Sequence, residues 1–138
     1  MGIDYGTVRV GIALSDEIGM LATPLETVEA SKVIQRIREI VVEKGVQRIV
    51  VGLPRNMNGS YGPQAESVLQ FIQSLSKHVT VEVKTWDERL TTRLVERSLI
   101  EANVSRKKRK KVIDQLAAQQ ILQGYLDAHS SSEIVSSE

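Results

Sequence analysis

The spacing of apolar residues changes along this chain in a way that permits few folds. Segments 1–5 and 8–14 are predicted as short strands joined by a turn at Gly6-Thr7, and a third strand is expected within 21–28. From Ser31 onward, helical spacing alternates with short apolar runs such as 49–51, which are typical of buried parallel strands. The order β-β-β-α-β-α-β-α-α predicts an α/β fold: a mixed sheet of three antiparallel strands followed by two parallel strands, with helices on both faces.

Four helices and one domain are expected from the local signals. The first helix is predicted to follow an N-cap at Ser31 and to end at Gly45, and the second to begin at Pro63 with Leu69 on its apolar stripe. A third helix is predicted after a cap at Thr91 or Thr92, and the last covers about 110–126. A chain of 138 residues fits one domain, placed at 1–129, with a serine-rich and disordered tail at 130–138.

Composition excludes several classes of protein. The hydrophobic fraction of 41% and the charged fraction of 25% are ordinary for a globular chain. No apolar run approaches the roughly 20 residues that cross a bilayer, and no secretory leader is recognised. The absence of cysteine excludes disulfides, zinc–thiolate sites and thiol nucleophiles. We therefore expect a cytoplasmic protein with no membrane partner.

Positive charge is concentrated in one segment. Six of the 18 basic residues are consecutive, and the other 12 face 17 acidic residues, which leaves the rest of the chain at a net −5. This segment is either a solvated helix face or a contact for a nucleic-acid backbone, and mutual repulsion among the six charges favours the second. The predicted nucleic-acid-binding residues here are Arg106, Lys107, Lys108, Arg109, Lys110 and Lys111.

Asp114 interrupts an apolar helix face. At 100° per residue it lies among Ala117, Ala118, Ile121 and Tyr125. A carboxylate that faces a core must be hydrogen-bonded, neutralised or bound to a cation. The alternative to a functional role is a structural Asp that is satisfied by a backbone amide or by Lys110.

Two further acidic positions end predicted strands. Asp4 precedes a tight turn and could simply form that turn. Asp87 and Glu88 end a later strand and could instead favour the next helix through its dipole. If these acids converge with Asp114 at one edge of the sheet, they offer the oxygen ligands that Mg²⁺ prefers and a site for phosphoryl transfer.

Several motifs resemble the YqgF/RuvX family. They are GIDYGTVRVGIA at 2–13, VGLP at 51–54 followed by Asn56 and Gly59, WDERLTT at 86–92, and the segment from Ser105 to Leu126. The resemblance extends over almost the whole chain with the motifs in order. It implies an RNase H-like fold, similar to the junction resolvase RuvC, and a metal-dependent nuclease. Family members have been described both as Holliday junction resolvases and as nucleases that mature the 5′ end of 16S ribosomal RNA.

The resemblance also implies roles for individual residues. Asp4, Glu88 and Asp114 become the catalytic acids and, together with Asp87, the ligands of Mg²⁺ or Mn²⁺. The implied partners are structured RNA within the precursor of the small ribosomal subunit, or branched DNA. From the residues themselves, the Gly- and Asn-rich loop at 54–63 is either a flexible connection or a phosphate contact, and in the second case Arg55 and Asn56 are the predicted contacts. Arg89 is a further candidate for a substrate contact.

Two other functions compete with the nuclease. The Asp-x-Gly-Thr opening also occurs in ATPases of the actin and Hsp70 type, but those need two such domains. A ribosome-assembly or junction-binding protein without catalysis would need the basic segment and not the acids. Within the nuclease class, a resolvase requires a homodimer, whereas an RNA-processing enzyme can be a monomer.

Overall fold

The elements are defined in a computed structural model that describes residues 1–55, 58–87 and 106–136, with side chains of the last range described at 112–129. The strands are β1 (Gly2–Tyr5), β2 (Arg9–Ser15), β3 (Ala22–Glu29), β4 (Arg48–Leu53) and β5 (Glu82–Asp87). The helices are α1 (Val33–Lys44), α2 (Pro63–Ser76) and α3 (Arg106–Ser136), and a 3-10 turn at Ala30–Lys32 precedes α1.

The five strands form one mixed sheet in the order β3-β2-β1-β4-β5. β1, β2 and β3 pair antiparallel, and β4 pairs parallel with β1 on one side and β5 on the other. The predicted fold class is therefore confirmed. Pro24 lies on the edge strand β3, where a missing backbone donor is tolerated.

Alternating residues of the strands supply two separate cores. Ile3, Ile12 and Val51 are fully buried in the larger core, which α1 and α2 cover. On the other face, Ala13 and Val50 pack with residues of α3 such as Ile121. Helices thus cover both faces of the sheet, as the sequence predicts.

One predicted helix boundary and one predicted core position are wrong, whereas a second boundary is confirmed. Ser31 lies within the 3-10 turn, and the N-cap of α1 is Lys32 without a side-chain hydrogen bond, so the predicted cap is wrong. Gly45 does end α1, with φ of 63° in the left-handed region. Leu69 is 43% exposed, because α2 packs through Ala65, Val68, Phe71 and Leu75 instead.

Helix α3 is longer than predicted. It begins at Arg106 and therefore contains the basic segment, and it continues to Ser136, well beyond the predicted end at Leu126. Its final residues belong to the segment for which we predicted disorder, and that prediction stays a prediction, as does the domain boundary at 129. The predicted third helix lies outside the described residues.

Helix α3 approaches β1 and β2 closely because glycines line the contact. A Cβ atom at Gly11 would overlap the backbone carbonyl group of Asp114. A Cβ at Gly2 would come within 2.7 Å of the Ala118 carbonyl oxygen and of the Leu122 Cβ. Because these two positions carry no side chain, the backbone of α3 can pack directly against the sheet.

No helix within the described ranges combines the length and the apolar character that a membrane span requires.

We expect Gly11→Ala to lower the free energy of unfolding by about 1–3 kcal/mol or more, because the new methyl group forces α3 away from β2. Chemical denaturation monitored by circular dichroism measures the change. The matched variant is Gly19→Ala, at a position with φ of 72° and open space around it, where only backbone strain of about 1 kcal/mol is expected. Equal losses in the two variants would contradict the close packing of α3.

Candidate functional site

Several sequence-predicted residues lie at one edge of the sheet. β1, β4 and β5 are parallel, so their carboxyl ends meet at this edge, and the antiparallel strand β2 begins there. Asp4 is near the end of β1, Asp87 is the last residue of β5, and Arg55 follows β4. Crevices beyond the carboxyl ends of strands are where open α/β sheets bind ligands.

Asp4 and Asp114 are brought together by the packing of α3. Asp4 is the register partner of Gly11 on β2, and the backbone of Asp114 lies directly against Gly11. Asp4 shares a face with Gly2, the face that α3 covers, while Tyr5 stacks on Phe71 of α2 on the opposite face. Two carboxylates distant in sequence thus become neighbours at the sheet edge.

The two acids interact electrostatically. Burial, and to a smaller extent the negative charge of Asp114, together raise the pKa of Asp4 to about 7. Near neutral pH in the absence of a cation, a proton on Asp4 therefore relieves part of the repulsion. A divalent cation would relieve the same repulsion more completely.

Arg9 is a site residue that the sequence analysis missed. Its Nε donates a hydrogen bond of 2.7 Å to Oδ2 of Asp114. The sequence analysis named only Lys110 or a backbone amide as a possible structural partner of Asp114. It did not include Arg9. The available signal was the period of β2, which places Arg9 on the same face as Gly11 and Ala13.

Asp87 lies apart from this pair. Strand β4 separates β5 from β1, which puts roughly 10 Å between the two backbones. Trp86 packs against Tyr125 of α3 with ring centroids 6.1 Å apart, so its neighbour Asp87 belongs to the opposite face. There its Oδ2 lies 3.7 Å from Nη1 of Arg55. The structure therefore associates Asp87 with Arg55, and its role as a metal ligand stays a prediction.

Arg55 holds the loop that follows β4. Its Nε and Nη2 donate hydrogen bonds of 3.0 and 2.7 Å to the carbonyl oxygen of Gly59. Its guanidinium also lies 4.8 Å from the ring centroid of Tyr61, which is 54% exposed. These contacts indicate that Arg55 stabilises the conformation of the loop. The predicted contact of Arg55 with phosphate stays a prediction.

Three predicted site residues, Asn56, Glu88 and Arg89, lie outside the described residues. Among the residues that are described, no three or more His, Asp or Glu side chains are grouped closely enough to hold a metal ion. The described part of the site supplies two carboxylates. Their chemistry fits a hard divalent cation, since both are oxygen donors, Asp4 is half-buried, and their mutual repulsion favours a positive ion.

The basic segment leads away from the same edge. Helix α3 passes Gly11 at Asp114 and reaches the opposite edge where Tyr125 accepts a 2.9 Å hydrogen bond from Arg48 at the start of β4. Residues 106–111 precede Asp114 by three to eight positions, which places their backbone about 5–12 Å further along the helix axis. The basic helix turn and the acid pair are thus adjacent.

Comparison with known sequences identifies close relatives. The sequence model of a family described as "RuvX: Holliday junction resolvase" matches residues 1–128. A protein of Desulforamulus reducens named "Putative pre-16S rRNA nuclease" is 49% identical over 131 residues, which cover 93% of this chain and 96% of the relative. A protein of Clostridioides difficile with the same name is 50% identical over 130 residues, covering 92% of each chain.

Comparison with solved structures identifies the fold. A structure titled "Thermus thermophilus RuvC structure" matches with a TM-score of 0.52 and 15% identity, covering 94% of this chain and 95% of that one. A second, of the same protein in complex with a Holliday junction substrate, has a TM-score of 0.50 and 17% identity over 94% of each chain. The predicted RNase H-like fold is confirmed.

The raised pKa of Asp4 predicts how stability depends on pH in the metal-free protein. Between pH 4 and 7 the unfolded chain releases the Asp4 proton and the folded chain keeps it, so this residue makes the free energy of unfolding fall as pH rises. We expect Asp4→Asn to be more stable than the wild type by about 1–3 kcal/mol at pH 8 in EDTA, with the difference vanishing near pH 4. Urea denaturation across this pH range measures it.

Asp16→Asn is the matched control for this measurement. Backbone amides of Met20 and Leu21 donate to the Asp16 carboxylate and lower its pKa. Its stabilising effect is present above its ordinary pKa and is lost as pH falls, so the variant should be less stable than the wild type at neutral pH. The same sign of change in both variants would contradict the assigned environment of Asp4.

Proposed function

Because the chain belongs to the RuvX family, we propose that it is a metal-dependent nuclease that processes the 5′ end of the precursor of 16S ribosomal RNA. Family membership makes it a hydrolase acting on ester bonds, and its curated relatives are named for pre-16S rRNA. The observation that carries the proposal is the juxtaposition of Asp4 and Asp114 at the carboxyl edge of an RNase H-like sheet.

Asp4 and Asp114 are the proposed ligands of the cation, and Glu88 is the proposed third. Glu88 comes directly after the last residue of β5 in the sequence and is proposed on the family resemblance. Asp87 is retained as a proposed ligand only on the family resemblance. Mg²⁺ or Mn²⁺ held by these carboxylates would activate water and stabilise the leaving oxygen.

The chain's own side chains prepare the site for this chemistry. Half-burial of Asp4 excludes part of the surrounding water and strengthens electrostatic interactions at its carboxylate. Arg9 fixes the orientation of the Asp114 carboxylate through a single charged hydrogen bond. Asp4 is on strand β1 and Asp114 is on helix α3, and the packing of α3 on Gly11 fixes these two elements relative to each other.

The proposed substrate contact is the basic segment of α3. Lysine and arginine on the first turns of the helix would bind the phosphate backbone beside the acid pair and would carry little sequence information. Recognition of the cut site would then come from the shape of the RNA within the small-subunit precursor. A cytoplasmic location belongs to the same proposal.

Resolution of Holliday junctions is the second candidate. The description of the family and the likeness to RuvC, whose structure with a junction substrate has the same fold, favour it. A resolvase must make two symmetric cuts, so this function requires a homodimer. Symmetric cleavage of a four-way DNA junction by a dimer, without cleavage of precursor RNA, would select it. Light scattering gives the oligomeric state for this comparison.

We expect Asp4→Asn and Asp114→Asn each to lower Mg²⁺- or Mn²⁺-dependent cleavage of 5′-extended 16S precursor RNA by at least about 100-fold, because each removes a proposed ligand. Binding of the same RNA, measured by filter retention in EDTA, should remain within about threefold of the wild type, since the basic segment is unchanged. In cells depleted of the protein, precursor RNA should accumulate, and neither variant should restore its processing.

Asp16→Asn serves as the control, since Asp16 lies in the turn after β2 at the opposite edge of the sheet. It should cleave as well as the wild type. Full cleavage by Asp4→Asn would overturn the metal site. Undiminished binding combined with no cleavage by any form, the wild type included, would favour the ribosome-assembly protein without catalysis.

The basic segment is tested through the salt dependence of RNA binding. Each phosphate contact contributes about 0.7–0.9 to the slope of log affinity against log salt. We expect the double variant Lys107→Ala/Lys108→Ala to lower the slope by about 1–2 and to weaken binding of unrelated RNAs equally. The double variant Lys44→Ala/Lys77→Ala removes the same charge near the ends of α1 and α2, at the opposite edge, and should leave the slope unchanged. Equal slopes in all three proteins would contradict the contact.

A further inference from the structure

Arg9 is the only cationic side chain among the described residues with a hydrogen bond to either acid of the pair. Its side chain is 38% exposed and that of Asp114 is 16% exposed, so Arg9 is the more exposed partner of this ion pair. The bond of 2.7 Å is short, as expected for a charged donor and a charged acceptor. In the proposed nuclease, Asp114 is a metal ligand, and the only role of Arg9 is to orient the Asp114 carboxylate.

The position of Arg9 in the sheet places its side chain near the acid pair. Arg9 is the first residue of β2. Gly11, two residues further on, pairs with Asp4 and lies against the backbone of Asp114. A side chain on this face at the start of β2 therefore lies on the side of the sheet that α3 covers, where its guanidinium bonds to Asp114. The positive charge of Arg9 is thus placed against the acid that α3 contributes to the pair.

From this arrangement we propose that Arg9 is a positioning residue that serves as an internal counter-ion, which stabilises the metal-free acid pair and competes with the divalent cation for Asp114. The inference rests on the proposed function, because it takes the acid pair to be a cation site. It goes further in assigning Arg9 a control over how tightly that cation binds.

Competition follows from the chemistry of the guanidinium. Arginine remains protonated at every physiological pH, so it cannot avoid the cation by losing its proton. A cation that takes Oδ2 of Asp114 must displace the Nε hydrogen bond or accept a positive charge close by, and either outcome weakens binding. Removing the charge of Arg9 should therefore tighten cation binding while it destabilises the cation-free protein.

The test is a titration of Mn²⁺ into the full chain by calorimetry, without nucleic acid, alongside thermal unfolding in EDTA. We expect Arg9→Gln to bind Mn²⁺ about three- to tenfold more tightly than the wild type and to unfold at a lower temperature in EDTA. Arg9→Lys keeps the charge and should stay within about twofold of the wild-type affinity.

Arg36→Gln is the matched control. Arg36 makes ion pairs of 2.8 Å with Glu26 and 3.0 Å with Glu39, on α1 and away from the acid pair. Its replacement should lower thermal stability without changing the Mn²⁺ affinity. A loss of stability in Arg9→Gln with unchanged or weaker affinity would show that the bond to Asp114 is only structural, and would overturn the inference.

The possible results separate this inference from the proposed function. If the wild type binds Mn²⁺ and Arg9→Gln binds it no more tightly, the inference fails and the metal-dependent nuclease stands. Binding by Arg9→Gln alone supports the inference and overturns the metal dependence of the wild type. If neither protein binds Mn²⁺, both fail. Should Arg9→Gln not fold, a change of more than about twofold in the affinity of Arg9→Lys would overturn the inference, because charge is retained there.

Discussion

The close contact of α3 with β1 and β2 is the constraint on which the candidate site depends. Gly2 and Gly11 allow the helix backbone to lie against the sheet, where any side chain at these positions would collide with it. This contact brings Asp114 beside Asp4, although the two residues are 110 positions apart in the sequence. The same contact buries Ala118, Ile121 and Leu122, so apolar burial holds two like charges together.

The acid pair illustrates how a fold can hold an electrostatically unfavourable arrangement. Burial and repulsion raise the pKa of Asp4, which means that the folded protein bears a cost for keeping that carboxylate ionised. Arg9 bonds to the other member of the pair and so neutralises part of the charge of Asp114. Functional sites are where such arrangements concentrate, because a ligand of opposite charge recovers the energy when it binds.

The two faces of the sheet present different groups of residues at its carboxyl edge. On the α3 face lie the acid pair, Arg9 and the start of the basic helix. On the opposite face, Arg55 ties the loop after β4 to Gly59 and approaches Asp87. Neighbouring residues on a strand face opposite ways, so Asp87 lies on the face opposite to Trp86, which packs against α3.

Local patterns in the sequence were enough to predict the order of the described strands and helices, the mixed sheet, and Asp4 and Asp114 as candidate site residues. This is because the period of apolar residues reports local geometry and an acid on an apolar face departs from it. The folded structure was needed to show that Arg9 pairs with Asp114, that Asp87 pairs with Arg55 and that Leu69 is exposed. These outcomes depend on which elements meet and at what register. A pattern of local periods cannot specify that, since such contacts join residues as far apart as Arg9 and Asp114.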